Sequence, residues 1–206
     1  MTPQWAWASH QPIIKTIVEH YQPNFVLESG IGLYSTPLFI NVPTYLGVDT
    51  DLVWINKVKE HYPNFEIIYH NLKKDISVRH WQLTSKEKAG IIIQYLTIKE
   101  VLDSGLYSGF KVLFVDGATC TRMYAINLLW KYFDIVLYHD SQPGVSKVYG
   151  YDLLKVIGYN MYQFKTSTAW TGIFSKDKLS VPLNLLEKNI FDFYEEWNVN
   201  AKMRLE

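Results

Sequence analysis

Five ionisable residues stand at the ends of apolar runs: Glu28, Asp49, Asp116, His139 and Asp140. The runs are short and rich in valine, leucine and isoleucine, which is typical of parallel strands buried on both faces. Parallel strands bring their carboxyl ends to one edge of a sheet, and neighbouring strands lie about 5 Å apart. The pattern therefore predicts a cluster of side chains that can move a proton or hold a metal ion.

The first of these runs leads into a glycine turn. Gly30 and Gly32 stand one residue apart directly after the run that ends near Glu28. Glycine has no Cβ, so the backbone can turn tightly there and approach a ligand closely. A second apolar run ends in Asp49, 21 positions beyond Glu28. This is close to the spacing of the acid that holds ribose hydroxyls in nucleotide-binding βαβ units, so the two runs together predict a nucleoside site.

The residues after the turn bear on the kind of nucleotide. Ser35 stands where the dinucleotide fingerprint GxGxxG has its third glycine, which argues against an NAD site. The pattern ExGxGxxST, ending in Ser35 and Thr36, instead resembles the first motif of class I S-adenosylmethionine-dependent methyltransferases, and the resemblance extends from about Val26 to Phe174. It implies the following cofactor-binding residues: Glu28, Ser29, Gly30, Gly32, Ser35, Thr36, Asp49, Thr50, Asn71 and Asp116.

The later motifs narrow the resemblance. The letters VDG, which include Asp116, then Arg122, then the pair His139 and Asp140, resemble two groups of sugar methyltransferases. These are the plant glucuronoxylan 4-O-methyltransferases and, more distantly, the macrocin-type O-methyltransferases, which use a divalent metal held by Asp residues after these strands. The resemblance implies methylation of an oxygen on a sugar or another small polar acceptor. Asp116, Arg122, His139 and Asp140 would then face the acceptor.

Two versions of the chemistry stay open. His139 has an unperturbed pKa near 6.5, which suits a general base. Asp140 is the alternative base, acting directly or through Mg²⁺ or Mn²⁺ held by Asp116 and Asp140. The macrocin-type group generally has two acids where this chain has His139 and Asp140, so the residues are compatible with a metal-free reaction as well as a metal-dependent one.

The order of elements predicts the fold. Alternating strand and helix patterns indicate a parallel sheet with right-handed crossovers. Two short strands near the C-terminus, Asn160 to Phe164 and Thr171 to Phe174, resemble the final antiparallel hairpin of class I methyltransferases, whereas an NAD-type dehydrogenase would continue in parallel. We expect one domain over residues 1–206, with a helical lead-in at 1–23. Its fold would be α/β and Rossmann-like: a mostly parallel seven-stranded sheet, a C-terminal antiparallel hairpin and helices on both faces.

Three local predictions accompany this fold. Thr36 is expected to cap a short helix that has Pro37 at its first position. Pro143 and Gly144 predict a flexible turn within Ser141 to Lys147 that could close over a substrate. A short helix is expected at Tyr151 to Ile157.

Composition limits the other function classes. The 206 residues are 48% hydrophobic and 19% charged, which indicates a folded globular chain. Basic and acidic residues number 20 each, so no strong nucleic-acid signal is present. The lone Cys120 cannot form an internal disulfide, and with no signal peptide or long apolar span we expect a soluble cytoplasmic protein of unknown oligomeric state. The alternatives are an inactive methyltransferase-fold binding module and an NAD-dependent oxidoreductase.

Overall fold

Strands and helices alternate along most of the chain. The structure is a computed structural model and describes residues 8–71, 78–165, 169–196 and 204–205. Its strands are β1 (Phe25–Ser29), β2 (Thr44–Asp49), β3 (Glu66–Tyr69), β4 (Lys111–Val115), β5 (Ile135–His139), β6 (Asn160–Lys165), β7 (Thr171–Ser175) and β8 (Arg204–Leu205). Its α-helices are α1 (Gln11–Tyr21), α2 (Leu52–His61), α3 (Ser85–Asp103), α4 (Arg122–Leu129), α5 (Pro143–Tyr149) and α6 (Leu183–Glu196). Short 3-10 turns cover Thr36–Phe39, His80–Gln82, Trp130–Tyr132 and Tyr151–Leu153.

All eight strands join one sheet in the order β3-β2-β1-β4-β5-β7-β6-β8. Strands β1 to β5 are parallel, whereas β7 and β6 run antiparallel to their neighbours. This confirms the predicted Rossmann-like fold with its C-terminal hairpin, and the two-residue β8 extends the edge beside β6. The strand order reverses between β1 and β4. Their carboxyl ends therefore form the switch point at which open α/β sheets bind ligands.

The central strands are buried on both faces, as their continuous apolar runs predict. In β4, Leu113 and Val115 enter a core formed with α3 and α4, while Phe114 enters a second core formed with α1 and α6. All three side chains are fully buried. Burial of each such side chain contributes about 2 kcal/mol, so these two cores hold the sheet edge that carries the ionisable residues.

The N-terminal region also supports that edge. Helix α1 lies within the predicted lead-in at 1–23, and residues 1–7 of that segment lie outside the described ranges. Ile13, Ile14 and Ile17 of α1 are fully buried in the second core. The residues just before α1 are thereby held against the sheet. In the described part of the chain, no helix is both long and apolar enough to cross a membrane.

The prediction of a flexible turn within Ser141 to Lys147 is wrong. Pro143 begins helix α5 at the first helical position, where the missing N–H of proline leaves no bond unmade. The helix ends at Gly150, whose φ of 74° is the left-handed conformation that terminates many helices. The helix predicted at Tyr151 to Ile157 is reduced to the 3-10 turn Tyr151–Leu153.

The predicted cap at Thr36 is also wrong. Ser35 occupies the cap position of the 3-10 turn Thr36–Phe39, and no side chain caps this turn. The hydroxyl of Thr36 instead contacts Glu28 in the sheet. Helix α2, by contrast, has a side-chain cap, because the Asp51 carboxylate accepts hydrogen bonds from the backbone N–H groups of Val53 and Trp54.

Candidate functional site

The carboxyl ends of β1, β2, β4 and β5 lie at one edge of the sheet, and the predicted site residues form three groups there. The Glu28 cluster consists of Glu28, Ser35, Thr36 and Tyr45. The Asp49 cleft is lined by Ser29, Gly30, Val48, Asp49, Thr50, His70, Tyr95, Gly117, Ala118 and Thr121. The Asp116 cluster consists of Ser9, His10, Asp116, Arg122, His139, Asp140 and Tyr149.

The Glu28 cluster holds the glycine turn from inside the protein. Glu28 is fully buried, and its carboxyl group accepts hydrogen bonds from Thr36 Oγ1 at 2.8 Å, from Tyr45 OH at 2.5 Å and from Ser35 Oγ. Thr36 Oγ1 also accepts from the backbone N–H of Gly32 at 3.0 Å. Glu28, Ser35 and Thr36 therefore fix the shape of the turn, and Glu28 does not line the Asp49 cleft.

The protonation state of Glu28 follows from its surroundings. Burial raises the pKa of Glu28 to about 8, and the hydroxyl donors offset only part of this effect. At neutral pH the side chain is therefore mostly an uncharged acid. No cation faces it within the cluster, so it has little capacity to act as an anion toward a ligand.

Gly30 joins the ends of β1 and β4. It adopts a φ of +95°, and a Cβ at this position would lie 2.1 Å from the backbone N of Gly117. Because Gly30 has no side chain, the backbone of the loop after β4 can pack directly against it. At Gly32, by contrast, a Cβ would have ordinary contacts, 3.5 Å from Ser35 Oγ and 3.8 Å from Trp54 Nε1. Only the first glycine of the predicted turn is required by close packing.

Asp49 organises the Asp49 cleft. Its Oδ2 accepts the backbone N–H of Ile31 at 2.9 Å, and its Oδ1 accepts those of Thr50 at 2.6 Å and Asp51 at 2.9 Å. Burial raises the pKa of Asp49 to about 6, although these backbone donors favour the charged form. Asp49 therefore carries a negative charge at neutral pH while it positions the glycine turn beside the cleft.

Two aromatic residues of the cleft, His70 and Tyr95, were not predicted from the sequence. His70, which follows β3, is buried and lies edge-on to Tyr95 at a ring-centroid distance of 5.2 Å. The hydroxyl of Tyr95 is 2.8 Å from Ser29 Oγ, which places Ser29 in the cleft wall. Burial lowers the pKa of His70 to about 4, so its ring is neutral at physiological pH. Asn71, one of the cofactor-binding residues that the resemblance implies, is exposed and is not part of the cleft lining.

The Asp116 cluster is built on a half-buried carboxylate and two basic partners. Asp116 Oδ1 lies 3.2 Å from His139 Nδ1 and 2.9 Å from an Arg122 terminal nitrogen. Burial alone would raise the pKa of Asp116, but His139 and Arg122 more than offset it and hold the pKa below its usual value. Burial likewise opposes a charged His139, yet Asp116 raises the pKa of His139 above 6.5. Asp116 is therefore ionised and His139 is poised to hold a proton.

Arg122 bridges the two acids that the sequence proposes as metal ligands. One terminal nitrogen contacts Asp116 and the other lies 3.1 Å from Asp140 Oδ2. Its Nε donates to the carbonyl of Gly117 at 2.7 Å, and its guanidinium stacks 4.1 Å from the ring centroid of Tyr149. The guanidinium is thus buried and fully engaged, so Arg122 is not a surface charge.

His139 is held at both ring nitrogens. Nε2 lies 2.9 Å from Ser9 Oγ, while Nδ1 faces Asp116. The chain from Ser9 through His139 to Asp116 has the contacts of a hydroxyl–imidazole–carboxylate relay. Asp140, the next residue, has a φ of 58° and accepts a hydrogen bond from the Tyr149 hydroxyl at 3.1 Å. Its left-handed backbone aims the carboxylate back at Arg122.

His10 is the member of the cluster that the sequence does not indicate. It precedes α1 in a segment without clear periodicity, and only the packing of α1 on the sheet brings it to β4 and β5. Its ring is buried, 4.7 Å from the ring centroid of His139, and its Nδ1 is 3.8 Å from Asp116 Oδ2. Burial lowers the pKa of His10 to about 3, so the ring is neutral.

Comparisons with known proteins bear on the fold. No protein-family model matches the sequence, and no curated protein is similar to it. Among solved structures, an O-methyltransferase from Bacillus cereus in complex with SAH is similar with a TM-score of 0.55 at 10% sequence identity, over 85% of this chain and 82% of that chain. A Staphylococcus aureus structure described as a caffeoyl-CoA O-methyltransferase gives 0.53 at 14% identity, over 79% and 81% of the two chains. The chain therefore has the class I methyltransferase fold.

Proposed function

We propose that this protein transfers a methyl group from S-adenosylmethionine to an oxygen of a sugar or another small polar acceptor. The observation that carries the proposal is the contact between two of the groups at the sheet edge. Gly117 lines the Asp49 cleft, and its carbonyl holds Arg122 of the Asp116 cluster. The Asp49 cleft, which we assign to the nucleoside, and the Asp116 cluster, which we assign to acid–base chemistry, adjoin at the switch point of the sheet.

The residues of the Asp49 cleft fit the nucleoside part of the cofactor. Its volume of about 180 Å³, counting space open to solvent, is below the 300–1,000 Å³ of most ligand pockets and matches part of a ligand. In our proposal Asp49 and Thr50 hold the ribose, while His70 and Tyr95 flank the base. Ser29, Gly30 and Gly32 border the path of the amino acid part, and the Glu28 cluster keeps that turn in place. The cofactor, when bound, supplies an already activated methyl group.

The protein's own task is then to position the acceptor and remove its proton. His139 is the proposed base, and Nε2 receives the proton once the acceptor hydroxyl takes the place of Ser9 Oγ. Asp116 stabilises the resulting imidazolium through Nδ1. Asp140 is the alternative base, and Arg122 keeps its carboxylate oriented. A carboxylate beside the reacting hydroxyl would find its counter-charge in Arg122, so sugar acids are the first acceptors to test.

Calorimetric titration tests the cofactor assignment. S-adenosylhomocysteine should bind with micromolar affinity, whereas NAD should not bind. Asp49→Ala should weaken S-adenosylhomocysteine at least tenfold, equivalent to about 1.4 kcal/mol, because hydrogen bonds to a charged group are lost. Asp51→Asn is the matched control, since asparagine also caps helices and Asp51 is not part of the cleft lining. Equal affinity of the Asp49 variant and the wild type would remove Asp49 from the site.

One observation favours a second candidate, a binding module without turnover. Both ring nitrogens of His139 already have partners in the protein, so the proposed base is not free to accept a proton until one partner is displaced. Turnover assays on sugars and sugar acids separate the two functions. Methyl transfer that falls about 10²-fold in His139→Ala, with S-adenosylhomocysteine affinity changed only a few-fold, supports the enzyme. Full cofactor binding without turnover on these acceptors supports the module.

A further inference from the structure

His10 is a buried polar side chain without a hydrogen-bond partner. It is 2% exposed, and within the described ranges neither ring nitrogen forms a hydrogen bond. Phe114 lies against its ring at a centroid distance of 5.2 Å, and the 3.8 Å from Nδ1 to Asp116 is too long for a hydrogen bond. Buried donors and acceptors are rarely left unpaired, because each unmade bond is unfavourable by about 1–3 kcal/mol. The unpaired ring nitrogens of His10 therefore indicate that this ring binds a ligand.

The neighbours of His10 complete a ligand set. One nitrogen each of His10 and His139 and one oxygen of Asp116 all lie within 4.8 Å of one another. Ligand atoms about 2.1 Å from a tetrahedral ion are about 3.4 Å apart, so small side-chain movements would bring the three into coordination. Within the described residues, this is the one group of three or more such side chains close enough to share an ion.

The three ligands come from separately anchored elements. His10 directly precedes α1, Asp116 directly follows β4, and His139 is the last residue of β5. Strands β4 and β5 are paired in the sheet, and α1 packs on the same face as Phe114 of β4. The positions are therefore fixed by the core and not by a loop, as a preorganised metal site requires.

The surrounding groups suit coordination. A metal-bound histidine usually engages its second ring nitrogen in a hydrogen bond that orients the ring, and Ser9 Oγ, 2.9 Å from His139 Nε2, does so here. Arg122 is a competitor for Asp116, since it lies 2.9 Å from Oδ1. It also has Asp140 as a partner at 3.1 Å, so Asp116 can turn toward an ion without leaving the guanidinium unpaired.

We propose that His10, Asp116 and His139 form a binding site for one transition-metal dication of the zinc or cobalt type. Two imidazoles and one carboxylate favour such ions over Mg²⁺, which prefers oxygen ligands. The three protein ligands leave a coordination position open, which is the arrangement of a catalytic metal site. The site differs from the Asp116 and Asp140 pair indicated by the sequence, where Arg122 lies between the acids. It shares Asp116 and His139 with the proposed acid–base site, and metal binding to the chain is measured without any methyl transfer.

Metal titration of the chelator-treated full chain tests the site. Cobalt(II), followed by its visible absorption, and zinc, followed by competition with an indicator, should each bind at one ion per chain. His10→Ala and His139→Ala should each weaken binding at least about tenfold, since even the loss of an outer partner of a metal ligand weakens binding 10- to 100-fold. His20→Ala is the matched control, because His20 is an exposed histidine hydrogen-bonded to Ser180, and its affinity should equal that of the wild type.

Further variants keep the result decisive. His10→Phe retains the ring shape and removes both nitrogens, so it should lose the metal even if the alanine variant folds poorly. Asp140→Asn should retain cobalt binding, and asparagine tolerates the left-handed backbone at this position. Loss of binding in Asp140→Asn together with unchanged binding in His10→Phe would move the ion to the acid pair and overturn the proposal. Absence of binding to the wild-type chain would overturn it as well.

Discussion

Glu28 and Asp116 lie near the ends of two paired strands, and they differ in charge although Glu28 is fully buried and Asp116 is half-buried. Glu28 has only hydroxyl donors around it, and burial raises its pKa to about 8. Asp116 has His139 and Arg122 beside it, and its pKa falls below the usual value despite burial. The comparison teaches that the charge of the nearest partner, more than burial, decides which strand-end acid is available for chemistry. The Glu28 cluster supports the glycine turn, whereas the Asp116 cluster holds the charged groups that the proposed chemistry requires.

The largest expected effect comes from breaking the contact that joins the two regions. Gly30→Ala places a Cβ 2.1 Å from Gly117 N at a φ of +95°, so both overpacking and backbone strain oppose folding. We expect a loss of about 4 kcal/mol in the free energy of unfolding, measured by urea denaturation. Gly32→Ala, where a Cβ has ordinary contacts, is the matched control and should change stability by less than about 1 kcal/mol. Similar losses in both variants would show that the Gly30 contact has no special role.

The next effect concerns the charged side of the comparison. Asp116→Asn leaves the buried Arg122 with only Asp140 as its acidic partner, and we expect a loss of about 3 kcal/mol at pH 7. A carboxyl group whose folded pKa is depressed stabilises above its unfolded pKa of 3.8, and this contribution disappears as pH falls through the folded value. The difference between variant and wild type should therefore shrink only in strong acid. Denaturation across pH checks this, with the exposed Asp152→Asn, which should stay within about 0.5 kcal/mol, as the control.

The effect that is smallest per measured step, a change for each pH unit, concerns the uncharged Glu28. Between pH 4.5, where the unfolded Glu28 ionises, and pH 8, the unfolded chain releases a proton that the folded chain retains. The unfolding free energy of the wild type therefore falls by about 1.4 kcal/mol per pH unit from this residue. Glu28→Gln removes that term, so its stability relative to the wild type should rise steadily from pH 5 to pH 8. If the difference in unfolding free energy between Glu28→Gln and the wild type does not vary with pH, the hydroxyl donors around Glu28 keep it ionised.

The strand ends are predictable from sequence because the runs before Glu28, Asp49, Asp116 and His139 are continuously apolar. Such runs identify buried parallel strands, and the topology then brings their carboxyl ends together. These features depend on patterns within single elements and on rules of sheet topology.

The features that were not predicted from the sequence depend on long-range packing, or on which of two neighbouring residues faces the interior. His10 reaches the Asp116 cluster only because α1 packs on the sheet, and no local pattern specifies that contact. Tyr95 lies in α3, far along the chain from the cleft it lines. After β3, a difference of one position decides that His70 is buried and Asn71 exposed. Helix α5 was not predicted, because proline can either break a helix or begin one. Only the tertiary context decides which of these roles Pro143 has.

The hydrogen bond from Arg122 Nε to the carbonyl of Gly117 joins the Asp116 cluster to the Asp49 cleft. Gly117 is at once a wall of the Asp49 cleft and the anchor of the guanidinium that orients Asp140. A molecule that enters the cleft and displaces this wall must also shift Arg122, and with it the acid pair. A movement of the Gly117 peptide group would thereby couple the Asp49 cleft to the Asp116 cluster. Under the proposed function, we therefore expect cofactor binding to change the affinity for the acceptor.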